Sequence, residues 1–406
     1  MRALTLSEYQ TTPAVELSLQ QLRDLRAVAP SVAVTPTLDH DGYYDLTPGA
    51  QIGAINLGEL SIVIRPKLPI DRLLFLLSYA LDPLSWSPLP FDFQEEPSLV
   101  EAVIPGFLAQ VRRTFVRGVL QGYRTNEEAL TNLRGRVRID EQVRRHFGQL
   151  PPIEVSYDDF TEDIEENRLL KTAIHHLGKL PSRSKRAHST LRAFDTALSK
   201  VSLVPFDIRR LPEIIYTRLN AHYRPAVEFA KLILRSTSFE VRHGIVQASA
   251  FLVDMNLVFE NFLYVALREA LCLSPSVFPQ GMRGRQPLYL DEAGAILLQP
   301  DLSWWEGSIC TFVGDVKYKK MSAAGIIHPD LYQLLAYTIA ADLPDGLLIY
   351  ASGQEEPTQH RVMYAGKHIH VITIDLSGTT EDILGQVKGI AQRIGKLRVG
   401  AVRKGR

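Results

Sequence analysis

Two acidic residues and a lysine in the C-terminal part of the chain have the spacing that metal-dependent phosphodiester hydrolysis requires. Asp301 follows a proline in the apolar run 295–302, and Asp315 and Lys317 stand at the end of a second apolar run, 309–316. Side chains two residues apart in a β-strand share a face, so Asp315 and Lys317 should point the same way. If the two runs pair as an antiparallel hairpin, Asp301 arrives beside Asp315. Two carboxylates could then ligate Mg²⁺, with an ammonium near the attacking water or the developing charge.

Each half of this pattern also has an ordinary structural explanation. An Asp-x-Lys sequence is common at solvated strand edges, where it forms a weak ion pair. A Pro-Asp sequence is typical of a turn. The order of the two motifs, their separation and their strand context favour a nuclease-type metal site.

The segment before the acidic pair predicts an amphipathic helix over residues 254–271. Apolar residues recur there at helical spacing, and Asp254 is the expected N-cap. Glu260 lies at the flank of the apolar stripe, where its carboxylate could reach an adjacent site. An exposed glutamate with no part in a site explains the same position equally well.

The segment after the pair predicts a second helix, entered through a proline, that begins near His328. Gln333 and Tyr337 are one turn apart and therefore share a face of this helix. Their amide and hydroxyl groups could orient a phosphate or a metal-bound water. Alternatively, the helix packs through its leucines and alanines, and these two polar residues are incidental.

The order of elements in this part of the chain resembles a known nuclease fold. Strands are predicted at 346–350 and 368–374, followed by a closing helix at 381–398. Together with the helices and hairpin above, this order resembles the restriction-endonuclease-like fold of PD-(D/E)xK nucleases, with Asp as the middle acid. The Gln-x-x-x-Tyr helix is similar to the branch related to RecB nucleases. Some members of that branch carry an iron–sulfur cluster on four cysteines, but only Cys272 and Cys310 occur here.

Composition is that of an ordinary globular protein expected in the cytoplasm. The 406 residues are 46% hydrophobic and 22% charged, and two cysteines indicate a reducing compartment. No apolar run approaches a membrane span, and the N-terminus lacks a signal peptide's apolar region. Forty-five basic and 45 acidic residues cancel, so any DNA binding must depend on local patches. No Walker-type phosphate loop is present, and we expect no nucleotide bound by this chain itself.

The predicted fold class is a multidomain α+β or α/β protein. We expect a β-rich region with helical segments over residues 1–95, which the family resemblance given below assigns to partner docking. A mainly helical middle domain should follow over residues 96–245, and the restriction-endonuclease-like domain, a mixed sheet flanked by helices, over residues 246–406. Within the first region, residues 53–67 alternate as a hairpin with its bend near residues 56–59.

Motifs from both halves, taken together, resemble the McrC subunit of McrBC-type modification-dependent (type IV) restriction systems. The resemblance covers roughly residues 50 to 376. Besides the Pro-Asp and Asp-x-Lys pair, four segments carry it in order: Ile62-Val-Ile-Arg-Pro-Lys-Leu68, Leu133-Arg-Gly-Arg136, Glu166-Asn-Arg-Leu-Leu-Lys171 and Phe251-Leu-Val-Asp-Met-Asn-Leu-Val-Phe-Glu260.

This resemblance implies a nuclease subunit that works with a partner. It implies a hexameric AAA+ GTPase, McrB, which reads modified cytosine in double-stranded DNA, translocates, and is stimulated by the N-terminal part of McrC. It also implies an Mg²⁺-dependent endonuclease centre, in which Mn²⁺ should substitute. We expect catalytic roles for Asp301, Asp315, Lys317, Glu260, Gln333 and Tyr337, and metal ligands from Asp301, Asp315, Glu260 and the Val316 carbonyl.

Some residues and roles stay open on the sequence alone. Lys319 and Lys320 are candidates for DNA contact, and Arg65 and Lys67 for partner contact, although a charged strand end is the stronger explanation of the latter pair. Two other functions fit the same motifs. One is a free-standing RecB-like nuclease that needs no motor, and the other is a non-enzymatic adaptor that activates an AAA+ ring.

Overall fold

A computed structural model describes residues 2–37, 41–81, 99–180, 184–208, 210–242, 245–280, 287–319, 328–351 and 357–404. Contacts between Cα atoms divide the chain into two units. Unit 1 contains Met1–Ala54, Leu60–Glu96 and Leu252–Arg406, and unit 2 contains Ile55–Glu59 and Pro97–Phe251. The N-terminal region and the C-terminal segment, which the sequence-based boundaries separate, thus belong to one unit by this criterion. None of the helices in the described ranges combines the length and hydropathy that crossing a membrane needs.

The N-terminal part of unit 1 is rich in short strands. Strands β1 and β6 pair in parallel, whereas β2 and β3 each pair antiparallel with β4. The predicted hairpin is present as β5 and β6, with its bend at Gly58 and Glu59. The elements are β1 (Arg2–Ser7), β2 (Thr12–Glu16), α1 (Leu19–Val28), β3 (Ala33–Pro36), β4 (Tyr43–Thr47), β5 (Gln51–Leu57), β6 (Leu60–Arg65) and α2 (Ile70–Leu81).

Unit 2 combines helices with a small antiparallel sheet of order β7-β9-β8. The elements between residues 99 and 254 are α3 (Leu99–Phe115), β7 (Gly122–Leu130), β8 (Arg136–Val137), α4 (Ile139–His146), β9 (Ile153–Thr161), α5 (Glu165–Lys179), α6 (Lys185–Ala197), a 3-10 turn (Ala221–Tyr223), α7 (Arg224–Ser236), β10 (Thr237–Arg242) and β11 (Ile245–Asp254), whose last three residues belong to unit 1. Gly135, before β8, has φ +70°, and a Cβ there would collide with the Ser156 carbonyl of β9. The close approach of these strands therefore requires glycine in the Leu-Arg-Gly-Arg segment.

The polar residues that open α5 hold unit 2 together. Asn167 is fully buried, and its side-chain amide donates to the carbonyls of Leu120 at 2.8 Å and Glu162 at 2.7 Å. Lys171, one turn later, donates to the Leu198 carbonyl at 2.9 Å. Buried polar groups of this kind are costly unless they are hydrogen-bonded. The Glu-Asn-Arg-Leu-Leu-Lys segment thus has a structural role in unit 2.

The C-terminal part of unit 1 is a mixed five-stranded sheet of order β14-β15-β16-β18-β17. Strands β15, β16 and β18 run parallel, and the edge strands β14 and β17 are antiparallel to their neighbours. Helices α8, α9 and α10 contact this sheet. The elements are α8 (Met255–Ala270), β12 (Leu288–Tyr289), β13 (Leu297–Leu298), β14 (Leu302–Glu306), β15 (Ile309–Lys317), α9 (His328–Ala340), β16 (Asp345–Tyr350), β17 (Thr358–Arg361), β18 (His368–Thr373) and α10 (Thr380–Lys404).

Two features of this sheet differ from the sequence-based prediction. The apolar run 295–302 is not one strand, because β13 ends at Leu298 and β14 begins only at Leu302. Pro300 lies in the interruption, where its missing N–H and fixed φ disfavour a continuous ladder. Strand β17 was not predicted, since all four of its residues are exposed and show no apolar alternation.

One prediction concerns the ion pair that anchors α5. Both Asp163 oxygens lie 2.8 Å from Arg168 nitrogens, and the Ser202 backbone N–H also donates at 2.8 Å. The pKa of Asp163 lies well below its ordinary range, chiefly because of the hydrogen bonds from Arg168 and secondly because of those from Ser202. Asp163→Ala would leave the buried Arg168 guanidinium with the half-exposed Glu165, at 3.2 Å, as its remaining ion-pair partner among the described residues. The substitution should therefore lower the free energy of unfolding by about 3–5 kcal/mol. Hydrogen exchange of the α5 amides measures this loss.

The matched control is Asp159→Ala, since Asp159 pairs with Arg134 on the surface, where the two side chains are 43% and 52% exposed. This loss should stay below about 1 kcal/mol. The contribution of Asp163 should be complete above the carboxyl pKa of the unfolded chain and should disappear as the pH falls through the lower folded-state pKa. Equal losses of unfolding free energy in Asp163→Ala and Asp159→Ala would contradict a stabilising role for the buried Asp163–Arg168 ion pair.

Candidate active site

The Asp-x-Lys motif lies at the C-terminal end of β15, in the interior of the sheet. Asp315 is fully buried, and Lys317 Nζ lies 2.6 Å from Asp315 Oδ2. Val316, between them, turns the other way and is only 7% exposed. The strand alternation expected from the sequence therefore holds, and it directs one carboxylate and one ammonium to the same side of the sheet.

Asp301 joins this pair across the β14–β15 hairpin. Leu302 is opposite Gly314 in the antiparallel register, so Asp301, one residue earlier, lies beside the Asp-x-Lys motif. Its Oδ2 accepts a hydrogen bond from the Val316 backbone N–H at 2.9 Å. This bond fixes the Asp301 carboxylate against β15 and brings the predicted acids and the lysine together.

Electrostatics around Asp315 are unfavourable for a bare carboxylate. Both of its oxygens are buried and accept no hydrogen bond of good geometry from the described residues, although the ion pair with Lys317 is close. Burial and then repulsion from Asp301 raise the pKa of Asp315. Burial lowers the pKa of Lys317, but the Asp315 charge outweighs this effect and raises it overall. The lysine is thus the cation that partly compensates two acids.

Glu260 approaches the same group of charges from α8. Asp254 caps this helix as expected, because its side chain accepts a hydrogen bond from the Asn256 N–H at 2.9 Å. Helix α8 contacts β15. Burial and then repulsion from Asp301 raise the pKa of Glu260 to about 7, while Lys317 partly opposes them. Glu260 is therefore within electrostatic range of the pair.

The carboxylates do not by themselves form a closed metal cage. Across the described ranges, no three His, Cys, Asp or Glu side chains converge closely enough to hold an ion. The buried oxygens of Asp315, one of them ion-paired with Lys317, nevertheless provide hard anionic donors beside the Asp301 carboxylate. A divalent cation is the kind of group that would satisfy them.

Gln333 and Tyr337 contact each other, as their helical spacing predicts. The Gln333 side-chain amide donates to the Tyr337 hydroxyl at 2.7 Å, and that hydroxyl donates to the Gln299 carbonyl at 3.1 Å. Gln299 lies two residues before Asp301, in the interruption between β13 and β14. These two hydrogen bonds connect α9 to the segment that precedes Asp301.

Lys319 pairs with an acidic residue that sequence reasoning did not single out. Its Nζ lies 2.8 Å from Asp330 Oδ2, and the Tyr350 hydroxyl donates to the same oxygen at 2.6 Å. Asp330 is only 5% exposed. Its position in the first turn of α9, directly after a proline, was the only available signal. Lys320 lies outside the described residues.

The candidates for partner contact lie at the end of β6 and just after it. Arg65 and Lys67 are both exposed, and Lys67 Nζ lies 4.5 Å from the centroid of the Tyr9 ring. Both residues belong to unit 1.

The pKa of Glu260 yields a prediction about stability. Its folded-state value of about 7 exceeds the ordinary 4.5, so the folded protein binds this proton more tightly than the unfolded chain does. Stability from this group is therefore greatest at low pH and falls as the pH rises from about 4.5 to about 7. Glu260→Gln removes that loss. Without divalent cations, the variant should gain on the order of 1–2 kcal/mol over the wild type across this window.

Urea unfolding at both ends of the pH window measures the gain. Glu269→Gln is the control, because Glu269 lies on the same helix but is exposed. Its stability relative to the wild type should not vary across the window. A constant difference between Glu260→Gln and the wild type would contradict a buried, repelled carboxylate at this position.

Comparisons with known proteins identify relatives of this chain. It resembles a chain of the refined half-complex from a tetradecameric assembly of Thermococcus gammatolerans McrB AAA+ hexamers with bound McrC. The two sequences are 17% identical, the match covers 97% of this chain and 100% of that chain, and the TM-score is 0.56. This likeness shows a shared mixed α+β fold. A chain of the cryo-EM structure of the T. gammatolerans McrBC complex gives 18% identity, 66% and 88% coverage, and a TM-score of 0.40.

The sequence itself also matches a protein-family model. No curated protein matches the chain. A family model described as McrBC 5-methylcytosine restriction system component matches residues 46–351, which include the acidic pair, Lys317 and the N-terminal hairpin. Because this match spans more than half of the sequence, the chain belongs to the family of McrBC 5-methylcytosine restriction system components.

Proposed function

We propose that this chain is the DNA endonuclease subunit of a modification-dependent restriction system, with its cleavage centre at Asp301, Asp315 and Lys317. The observation that carries the proposal is the buried Asp315 carboxylate, which has no hydrogen-bond donor of good geometry, lies beside Asp301 and is 2.6 Å from Lys317. A fold under selection for stability alone would replace such a group, whereas a metal-dependent nuclease needs it. In this proposal, the C-terminal sheet with its flanking helices is a PD-(D/E)xK domain.

The donor set fits Mg²⁺, for which Mn²⁺ should substitute. Asp301 and Asp315 would hold the ion through carboxylate oxygens, the Val316 carbonyl is the proposed third protein ligand, and Glu260 would complete the shell, either directly or through water. When bound, Mg²⁺ supplies positive charge to the phosphate and lowers the pKa of a coordinated water. Asp315 needs this charge, because burial and then repulsion from Asp301 disfavour its ionised form and raise its pKa.

Lys317 is assigned the role of orienting the attacking water and offsetting charge. The Asp315 carboxylate raises the pKa of Lys317, so its Nζ is an ammonium that can donate hydrogen bonds but cannot accept a proton. An ammonium beside the phosphate stabilises the negative charge that grows in the transition state. Gln333 and Tyr337 act indirectly, by fixing the segment that carries Asp301.

The proposal includes a AAA+ partner. The relative with a similar fold comes from an assembly of McrB AAA+ hexamers with bound McrC. We infer a comparable hexamer here, which would recognise modified cytosine, hydrolyse nucleotide and translocate on double-stranded DNA. Arg65 and Lys67 are the candidate contacts, since both are exposed on unit 1.

Substitution of Asp315 and Lys317 tests the nuclease role. Asp315→Ala should abolish cleavage of modified DNA by the complex of this chain with its AAA+ partner, while stimulation of the partner's nucleotide hydrolysis is unchanged. Lys317→Ala should retain divalent-metal binding and lose at least about a hundredfold in cleavage rate. Cleavage assays, nucleotide-hydrolysis assays and calorimetry measure the three quantities.

The matched control is Lys367→Ala, because Lys367 pairs with the exposed Asp342 at 3.4 Å and should leave cleavage unchanged. Loss of both cleavage and partner stimulation in Asp315→Ala would contradict a separate nuclease centre. Cleavage by the wild-type chain alone in Mg²⁺ would favour the free-standing nuclease. Full partner stimulation without any cleavage by the wild-type complex would favour the adaptor.

A further inference from the structure

A second buried carboxylate, that of Glu8, follows strand β1 and has no part in the site described above. Glu8 is 0% exposed. Its Oε1 accepts hydrogen bonds from the Lys67 backbone N–H at 3.0 Å and from the Tyr318 hydroxyl at 3.1 Å. Its Oε2 is buried and has no hydrogen-bond partner among the described residues. A half-satisfied buried acid is costly, so stability alone does not account for it.

The partner of Glu8 in the C-terminal sheet is the residue directly after Lys317. Tyr318 is 6% exposed, and its ring centroid lies 5.9 Å from that of Phe259. Phe259 in turn precedes Glu260 on α8. Tyr318 thus links the end of β15 to α8 at points adjacent to two residues of the proposed centre. Whatever fixes the Tyr318 ring also fixes where the Lys317 backbone lies.

The segment around Glu8 holds Tyr318 by its main chain as well. The Tyr9 hydroxyl donates to the Tyr318 carbonyl at 3.4 Å. Tyr9 itself has φ +58°, in the left-handed region that residues with a Cβ rarely adopt. Strained backbone of this kind persists only where its surroundings over-determine it. Two consecutive residues of the N-terminal region therefore bind one residue beside the proposed catalytic lysine.

We propose that Glu8 is a positioning residue, which fixes Lys317 through its hydrogen bond with Tyr318. Through its second hydrogen bond, Glu8 also connects Tyr318 to the backbone of Lys67, two residues after the end of β6. The cleavage part of this proposal rests on the proposed nuclease function, whereas the physical link does not. Glu8 contacts no reacting atom. It acts by removing the freedom of the Tyr318 side chain, and a small displacement of a catalytic group has a large effect on rate.

Single-turnover cleavage by the full chain with its AAA+ partner tests the proposal. Glu8→Ala and Tyr318→Phe should each lower the maximal cleavage rate by roughly tenfold to a hundredfold, with little change in the DNA concentration that gives half the maximal rate. The double variant should be no slower than Glu8→Ala, because both substitutions remove the same hydrogen bond, the one between Glu8 and Tyr318. Glu8→Gln should restore the rate, since its amide oxygen can accept the same two hydrogen bonds.

Glu16→Ala is the control, because Glu16 forms a surface ion pair with Arg2 at 3.3 Å and should leave the rate unchanged. Tyr318→Phe removes a single oxygen and leaves the ring in place, so it remains informative if Glu8→Ala folds poorly. Cleavage at the wild-type rate in Tyr318→Phe would overturn the proposal. Multiplying effects of the two substitutions would also overturn it.

Hydrogen exchange separates failure of this link from failure of the nuclease function. In Glu8→Ala and Tyr318→Phe, the amides of Val316 and Tyr318 should exchange faster than in the wild type, while those of β18 should not change. If the wild-type complex cuts no DNA, the proposed nuclease function is wrong. Hydrogen exchange then tests by itself whether the Glu8–Tyr318 contact fixes the end of β15. Unchanged protection at Val316 and Tyr318 would then overturn it, and local loss of protection would support it.

Discussion

The candidate centre depends on the burial of one charged group, the carboxylate of Asp315. An unpaired acid is normally absent from a strand at the centre of a sheet, because the free energy lost by removing its hydration exceeds the free energy gained from its contacts there. Here the nearby Asp301 adds repulsion, and Lys317 is the close cation that offsets it. The arrangement is poorly satisfied by protein groups alone. It is well suited to a divalent cation, and this electrostatic deficit is the physical basis of the proposed nuclease function.

The surrounding fold can be understood as support for that group. The β14–β15 register brings Asp301 to the motif, and the Val316 N–H holds it there. Gly314, the residue before Asp315, has little space, since a Cβ would lie 3.1 Å from the Leu347 carbonyl of β16. Helix α9 braces the segment before Asp301 through Tyr337. Each contact restricts a different part of the same small volume.

Sequence reasoning predicted those features that follow from local periodicity. Strand alternation placed Asp315 and Lys317 on one side, and helical spacing placed Gln333 beside Tyr337. It did not find Asp330 on α9, whose importance comes from a contact with Tyr350 at the end of β16. It also missed Glu8, which contacts Tyr318 from 310 residues away. No periodic signal marks such long-range pairs, because only the tertiary fold creates them.

The interruption at Pro300 shows the same limit on a smaller scale. Apolar composition predicted one continuous strand, whereas the proline divides it and leaves Asp301 immediately before β14. Asp301 is consequently free of the β14 ladder and accepts a hydrogen bond from the neighbouring strand instead. The local rule failed at a residue of the proposed site, where such failures are expected.

Anomalous diffraction from crystals of this chain soaked in Mn²⁺ tests the central claim most directly. A manganese peak between the carboxylates of Asp301 and Asp315, and its disappearance in Asp301→Asn, is the predicted result. Manganese bound only elsewhere on the chain, or a peak that persists in Asp301→Asn, would contradict the account.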